Sequence, residues 1–283
     1  MSTFLIFGAT GAVGRFLLPQ LLARQVNVYA LSRHPPEAPA GGNPIWISGD
    51  LFRSPALPAA TFEVVISLGP LDAFAAWLEN GAPPGLHRVI ALSSMSAESK
   101  RLSSDPAERS LAERLLAAEA RLARAAAARD AAWTVFRPTL IYGDGRDRSV
   151  APIARFAQRW RVMPVPLGAR GLRQPVHAAD IAEAILAAAD CSAAYGKVYP
   201  LGGGERLRFS EMLGRVRSSL PGFVLPLPIP QLLLRALRGR AGISDASLRR
   251  LRDPLVADNA EAARDFGYAP RAFIAADVLG TAT

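Results

Sequence analysis

The stretch "FLIFGATGAVGRFLLPQLL", Phe4 to Leu22, constrains the fold more than any other part of this chain. A short apolar run leads straight into Gly8, Gly11 and Gly14, spaced Gly-x-x-Gly-x-x-Gly, and then into a helical pattern. In such a turn the first glycine permits tight reversal, the second lets backbone approach a pyrophosphate, and the third lets the helix pack closely on the strand. The helix N-terminus then attracts the anion. The pattern therefore predicts a dinucleotide-binding strand–turn–helix unit, with Thr10 and Val13 as further contacts inside the turn. An ordinary tight turn is the competing reading.

Five further apolar runs, "VNVYALS" (26–32), "NPIWISGD" (43–50), "FEVVISLG" (62–69), "HRVIALSS" (87–94) and "WTVFRP" (133–138), are rich in Val, Ile and aromatics and bounded by Gly, Pro, Asp or Ser. They read as buried strands. Helical patterns lie between several of them, clearest over 11–24 and 105–129. This alternation implies an α/β fold, a Rossmann-type doubly wound parallel sheet with helices on both faces. After Tyr142 the composition changes to prolines, basic helices and a regular segment at 180–190, so residues 1–142 are expected to form the dinucleotide-binding core. Residues 143–283 are expected to form mainly a smaller substrate-binding lobe, with some segments returning to the core. The stretch "HPPEAPAGGNP" (34–44) reads as a loop.

The second strand ends in "VYALSRHP", with Ser32 and Arg33 where an NAD site offers Asp or Glu to the adenosine ribose. A guanidinium beside a hydroxyl suits a ribose phosphate, which favours NADP(H) over NAD(H). A solvated loop arginine is the alternative.

Composition narrows the remaining classes. The single Cys191 excludes an intramolecular disulfide and a cysteine-built zinc site, and no metal centre is expected. The start "MSTFLIFGATG" has no basic region before its apolar run, so it reads as a strand and not as a signal peptide, and the expected location is the cytoplasm. No uninterrupted apolar run is long enough for a transmembrane segment. The formal charge of +9 is carried almost wholly by arginine, since only Lys100 and Lys197 are lysines. The excess is concentrated late: seven arginines against Asp147 over 146–173, and six against Asp245 over 235–252. Solvated faces and a surface for an anionic substrate or membrane are both open. Nucleic acid is not an expected partner, because the basic residues lack aromatic interleaving or a recognisable module. The segment "PGFVLPLPIPQLLLRALRGR" (221–240) has too many prolines for a single span, but it allows a greasy wall over the substrate, a membrane-surface contact, or packing between lobes.

With "GATGAVG" at the start, "SGDL" (48–51), "ISLGP" (66–70), "ALSSMS" (91–96), "FRPTLIYGDG" (136–145), "RQPVHAADIAEAI" (173–185) and "DFGYAP" (265–270), the chain resembles the extended short-chain dehydrogenase/reductase family, the NAD-dependent epimerase/dehydratase group. The match runs over almost the whole chain. The resemblance implies that Asp50 and Leu51 flank the adenine, that Leu68 and Gly69 line the inner face of the cofactor, and that Pro138 and Thr139 lie near the nicotinamide. It also implies that the lobe after Tyr142 binds the substrate. A small molecule, hydrophobic or phosphate-bearing, is the expected partner, and a monomer or homodimer the expected state.

The family's chemistry uses a tyrosine as acid or base, a lysine four residues later, and a Ser or Thr on the reacting oxygen. None of the five tyrosines here has a lysine at that spacing. The family's place for the pair is filled by "SSDPAERSLAERLLAAEARLA" (103–123), in which Asp105, Pro106 and Glu108 read as N-cap, first-turn proline and N3 carboxylate. Leu111, Leu115 and Leu122 form an apolar stripe. Aligned on Glu113, the register puts Asp105 at the tyrosine and Arg109 at the lysine; Arg109 can hold ribose or phosphate but cannot release a proton. Ser93 and Ser94 end the fifth strand where the substrate-oxygen donor is kept, with Ser94 preferred; Tyr142 is a further candidate, with packing at the lobe junction as its favoured alternative. Asp180 reads as the N-cap of the helix it opens, with His177 bonded locally at that turn and proton transfer as its alternative role. Two functions remain: an atypical NADP(H)-dependent oxidoreductase or epimerase, and a non-catalytic NADP(H)-binding regulatory, assembly or scaffold protein.

Overall fold

The computed structural model describes residues 2–37, 42–53, 55–147, 149–236, 248–249 and 251–280. The first half alternates as expected: β1 (Thr3–Phe7), α1 (Gly14–Ala23), β2 (Asn27–Ser32), β3 (Ile45–Ser48), β4 (Val64–Ser67), α2 (Leu71–Asn80) and β5 (Arg88–Leu92). A single turn, α3 (Ser96–Ser99), precedes the long α4 (Pro106–Ala127) and β6 (Ala132–Pro138). Each of the six apolar runs contains one of these strands. The later chain contains β7 (Ile141–Tyr142), α5 (Ala151–Trp160), β8 (Val162–Pro166), β9 (Leu172–Arg173), β10 (Val176–His177), α6 (Ala178–Ala189), β11 (Lys197–Leu201), β12 (Leu207–Arg208), α7 (Phe209–Ser219) and β13 (Leu225–Ile229).

The main sheet runs β11-β6-β5-β4-β1-β2-β3, every pair parallel. The order reverses at β1 and β4, so a crevice opens beyond their carboxyl ends, where doubly wound sheets hold ligands. On one face β1 and β4 pack with α1 and α6 through Ile6, Leu17, Ile66 and Ile185; on the other, Phe7, Val65, Phe74 and Leu122 join α2 and α4. Such two-sided burial explains the continuous apolar strands. Strand β11 comes from the sequence region after Tyr142, so the main sheet draws on both halves of the chain. Arg88 is buried on β5; it donates to the Ala188 carbonyl at 2.9 Å and to Thr134 Oγ1 at 2.6 Å, which ties the end of α6 to the sheet. Burial lowers its guanidinium to about 10.

A second core is built from Tyr142, Val150, Met163, Leu213, Val216 and Phe273. Around it, β7 pairs with β10, β8 with β13, and β9 with β12. Of the segment 221–240, Leu225 and Leu227 lie on β13 and are exposed, as are Leu232 and Leu233 on the following turn of helix. Leu237 to Arg240 lie outside the described residues. No helix among the described residues is long and apolar enough to cross a membrane.

Candidate functional site

The glycine turn is built to seat an anion. Gly8 ends β1 at φ +82°, where a side chain is strained, and its Cβ would stand 3.2 Å from the Leu68 carbonyl carbon. The Gly11 N–H closes the turn on the Gly8 carbonyl at 2.9 Å. Gly14 opens α1 so close to the turn that a Cβ would lie 2.2 Å from the Ala9 carbonyl oxygen. Among the described residues the N–H groups of Ala12 and Val13 donate to no backbone acceptor. Free N–H groups and the positive end of α1 therefore share one concave turn, a site for phosphate oxygens.

Neighbouring strand ends complete this edge. Leu68 follows β4 and donates to the Phe7 carbonyl at 2.9 Å, so Leu68 and Gly69 sit against Gly8. Asp50 accepts the Phe52 N–H at 3.1 Å, and this turn places the buried Leu51 near Gly69. Ser32 is buried, 3.2 Å from Thr10 Oγ1, and accepts the His34 N–H. Its hydroxyl thus fixes the end of β2 to the glycine turn. Arg33, beside it, is exposed and has no carboxylate partner among the described residues. These features fit a dinucleotide: a backbone cradle for its phosphates, with an exposed guanidinium at the end of β2.

At the opposite end Pro138 closes β6 and its carbonyl accepts the Met95 N–H at 3.0 Å. Thr139 is buried, with its hydroxyl on the Gln174 carbonyl and its N–H on the Leu201 carbonyl.

The candidate proton-transfer groups are occupied by structural bonds. Ser93 Oγ donates to Glu119 Oε1 at 2.5 Å, and Glu119 also takes Nε of Arg137 at 2.9 Å and its Nη2. Arg137 reaches Glu98 with its remaining Nη. Ser94 Oγ accepts the Ser96 N–H at 3.1 Å and holds the start of α3. Asp105 caps α4 through the Ala107 N–H at 2.9 Å, and Arg109 donates to the Ser103 carbonyl at 2.7 Å, bracing the loop before the helix. The cap is relayed: Ser103 Oγ donates to Glu108 at 2.7 Å and accepts the Asp105 N–H at 3.2 Å.

Tyr142 packs inside the second core. It is 1 % exposed, its hydroxyl accepts the Ile274 N–H at 2.9 Å, and burial pushes the phenol up to about 12. The hydroxyl is thus enclosed, and at neutral pH it keeps its proton, in line with packing at the junction. Among the described residues the other hydroxyls of buried tyrosines are also engaged: Tyr199 on Asp265 at 2.6 Å, Tyr268 on the Gly202 carbonyl at 2.9 Å. Lys197 shares Asp265 with Tyr199, again at 2.6 Å, in an ion-paired cluster joining β11 to the helix Ala260–Phe266.

Two expectations about helices change. The N-cap of α6 is His177 and not Asp180: Nδ1 of the imidazole accepts the Ala179 N–H at 3.1 Å, while Asp180 holds Arg271. On α4 the buried stripe is Ala112, Ala118, Leu122, Ala125 and Ala126, with Glu119 among them; Leu111 and Leu115 are only half-buried. Small side chains let α4 approach the sheet and α2. The Glu119–Arg137 pair carries no signal in sequence, because nothing marks Glu119 among the solvated Glu of α4, or Arg137 on β6 among the many arginines of the chain.

His177 supplies a stability test. Burial, reinforced by the Arg271 charge, lowers its pKa from 6.5, and the cap requires an unprotonated Nδ1. Below pH 6.5 the unfolded chain therefore binds a proton that the folded chain resists, and stability falls with pH through the folded value. The melting temperature should be level from pH 8 to about 7 and drop toward pH 5. His177→Asn, which keeps a capping acceptor, should flatten that part of the curve; an unchanged slope would remove His177 from the account.

Residues 8–191 match the NAD(P)H-binding family. The chain belongs to this family. It is 26 % identical over 261 residues to subunit 9 of the NADH dehydrogenase [ubiquinone] 1 alpha subcomplex, mitochondrial, of Arabidopsis thaliana, with 79 % of this chain aligned. The chain spans about 60 % of that relative's length. Its fold is that of NAD-bound sugar-nucleotide enzymes. MoeE5 with UDP-glucuronic acid and NAD superposes at TM-score 0.69, 19 % identity and 98 % and 96 % coverage of the two chains. UDP-glucuronic acid 4-epimerase from Bacillus cereus with NAD superposes at 0.71, 14 % identity and 98 % and 94 % coverage. The fold is thereby that of the epimerase/dehydratase group whose motifs the sequence resembles.

Proposed function

We propose that this chain binds NADP(H) and retains it as a structural or regulatory element, without the acid–base pair that would turn it over. One observation carries the reading: apart from the Ser94 hydrogen, the candidate groups are bonded to the protein itself. Ser93 is on Glu119, Arg109 on the Ser103 carbonyl, Tyr142 on the Ile274 N–H and His177 Nδ1 on the Ala179 N–H. The NADH dehydrogenase subunit named above supports a place in an assembly.

Preference for the 2′-phosphate rests on Arg33 and on the absence of a carboxylate at the end of β2. A second reading has one observation in its favour: Ser94 Oγ accepts a bond, which leaves its hydrogen available to the oxygen of a carbonyl substrate.

The test is titration with NADPH, NADH, NADP and NAD, followed by nicotinamide fluorescence and thermal shift. NADPH should bind more tightly than NADH, and Arg33→Ala should raise its Kd about tenfold or more while leaving NADH within about twofold, as loss of a charge-assisted phosphate contact requires. Bound NADPH should persist unoxidised with a panel of carbonyl compounds. Steady oxidation that Ser94→Ala abolishes would favour the second reading, and equal affinity for NADH and NADPH would remove the 2′-phosphate assignment.

A further inference from the structure

The loop after β7 carries a cation to the glycine turn from the other lobe. Arg146 donates from Nη1 to the Thr10 carbonyl at 2.9 Å, and Thr10 lies between Gly8 and Gly11. The loop is braced from below. Asp144 Oδ1 accepts the Arg146 N–H at 3.0 Å, and Arg155 donates to the Gly145 carbonyl at 2.5 Å. Asp144 Oδ2 is buried without a hydrogen bond, and Nε of Arg146 stands 3.6 Å away. Meanwhile the side chain of Arg146 is 61 % exposed. The guanidinium is thus pinned by one donor and keeps other N–H groups free above the turn that holds the unpaired N–H groups of Ala12 and Val13.

We infer that Arg146 is a phosphate-binding residue: it clamps the pyrophosphate of the dinucleotide against the glycine turn and so makes the second lobe part of the cofactor site. The inference rests on the dinucleotide-binding reading above. It assigns Arg146 to the pyrophosphate and leaves Arg33 with the 2′-phosphate, so the two arginines serve different parts of one ligand. A guanidinium suits this task because its fork of donors meets two phosphate oxygens at once.

The division of labour can be read with fragments. ADP-ribose has the pyrophosphate and no 2′-phosphate; adenosine 2′-monophosphate has the reverse. Calorimetric titration of Arg146→Ala should show a Kd for ADP-ribose and for NADPH raised about tenfold or more, with adenosine 2′-monophosphate within about twofold of wild type. Arg33→Ala should give the opposite pattern with the two fragments. The dependence of ADP-ribose affinity on salt should be shallower in Arg146→Ala, and Arg146→Lys should recover part of it. A tether between lobes that touches no phosphate would weaken all three ligands alike and leave the salt dependence unchanged, which overturns the inference. Wild-type affinity for ADP-ribose in Arg146→Ala overturns it alone, whereas a wild-type protein that binds no dinucleotide overturns the functional reading as well.

Discussion

Gly14→Ala should abolish dinucleotide binding and lower stability by about 1–3 kcal/mol, the range for forcing a methyl group into a packed site. Helix propensity argues the other way, since alanine in a helix interior is favoured over glycine by about 1 kcal/mol. Geometry decides. The new Cβ would lie 2.2 Å from the Ala9 carbonyl oxygen, with the Ala9 carbonyl carbon at 2.5 Å, and both are backbone atoms that cannot swing aside. The first turn of α1 must therefore move off the glycine turn, and with it the N–H groups that form the anion cradle. Gly214, inside α7, is the matched control: nothing lies within 4 Å of its Cβ position, so Gly214→Ala should raise stability by up to about 1 kcal/mol and leave binding unchanged. Denaturant unfolding and NADPH titration of the two variants test both halves. Opposite signs of the stability change are the expected result, and a Gly14→Ala protein that binds NADPH like wild type would overturn the cradle.

The difference between these glycines explains what was legible beforehand. The spacing of Gly8, Gly11 and Gly14 after an apolar run dictates a local backbone path, and that path is the one found. Five more elements of the sheet were readable from their apolar runs, most because burial on both faces forces such runs, and the half-exposed edge strand β3 through its Ile and Trp between Pro and Gly. Strand β11 escaped notice because "KVYPL" is short and contains a proline, and what makes it a strand is pairing with β6. Long-range partners hid the site's remaining features too. Arg146 meets Thr10 across 136 residues, and Ser93 meets Glu119 across 26. Packing of Tyr142 at the junction could be expected from its place after a strand end, but the Ile274 N–H that occupies its hydroxyl could not. In an arginine-rich chain, identity alone says nothing about which guanidinium is buried, paired or free.

Glu119→Ala is the second large effect. The Glu119 carboxylate is 7 % exposed and accepts from Ser93 and twice from Arg137, whose own side chain is 13 % exposed. The pairing with Glu119 raises the Arg137 pKa, and without it a guanidinium still keeps its proton, so the charge persists in the variant. Removing the acceptor would leave a nearly buried guanidinium with only Glu98, which is half in water, and a Ser93 hydroxyl without its partner. Breaking a buried pair from one side costs about 3–5 kcal/mol; the surviving Glu98 contact puts the expected loss near about 3 kcal/mol. Glu119→Gln keeps shape and an acceptor for Ser93 and should lose less. The informative construction is the double change Glu119→Leu with Arg137→Met, which removes both charges and should come within about 1 kcal/mol of wild type, since apolar groups of similar volume replace buried pairs without leaving an unpaired ion. Function discriminates between support and chemistry. If the network only holds β5, β6 and α4 together, the double variant should bind NADPH within about twofold of wild type while the single variant unfolds earlier. If Ser93 instead exchanges its Glu119 bond for one to a substrate oxygen, freeing it in the stable double variant should raise NADPH oxidation by a carbonyl compound above the wild-type rate. A flat rate together with restored stability assigns these side chains to the scaffold, and the retention of NADP(H) without turnover then follows from their being spent on holding the sheet.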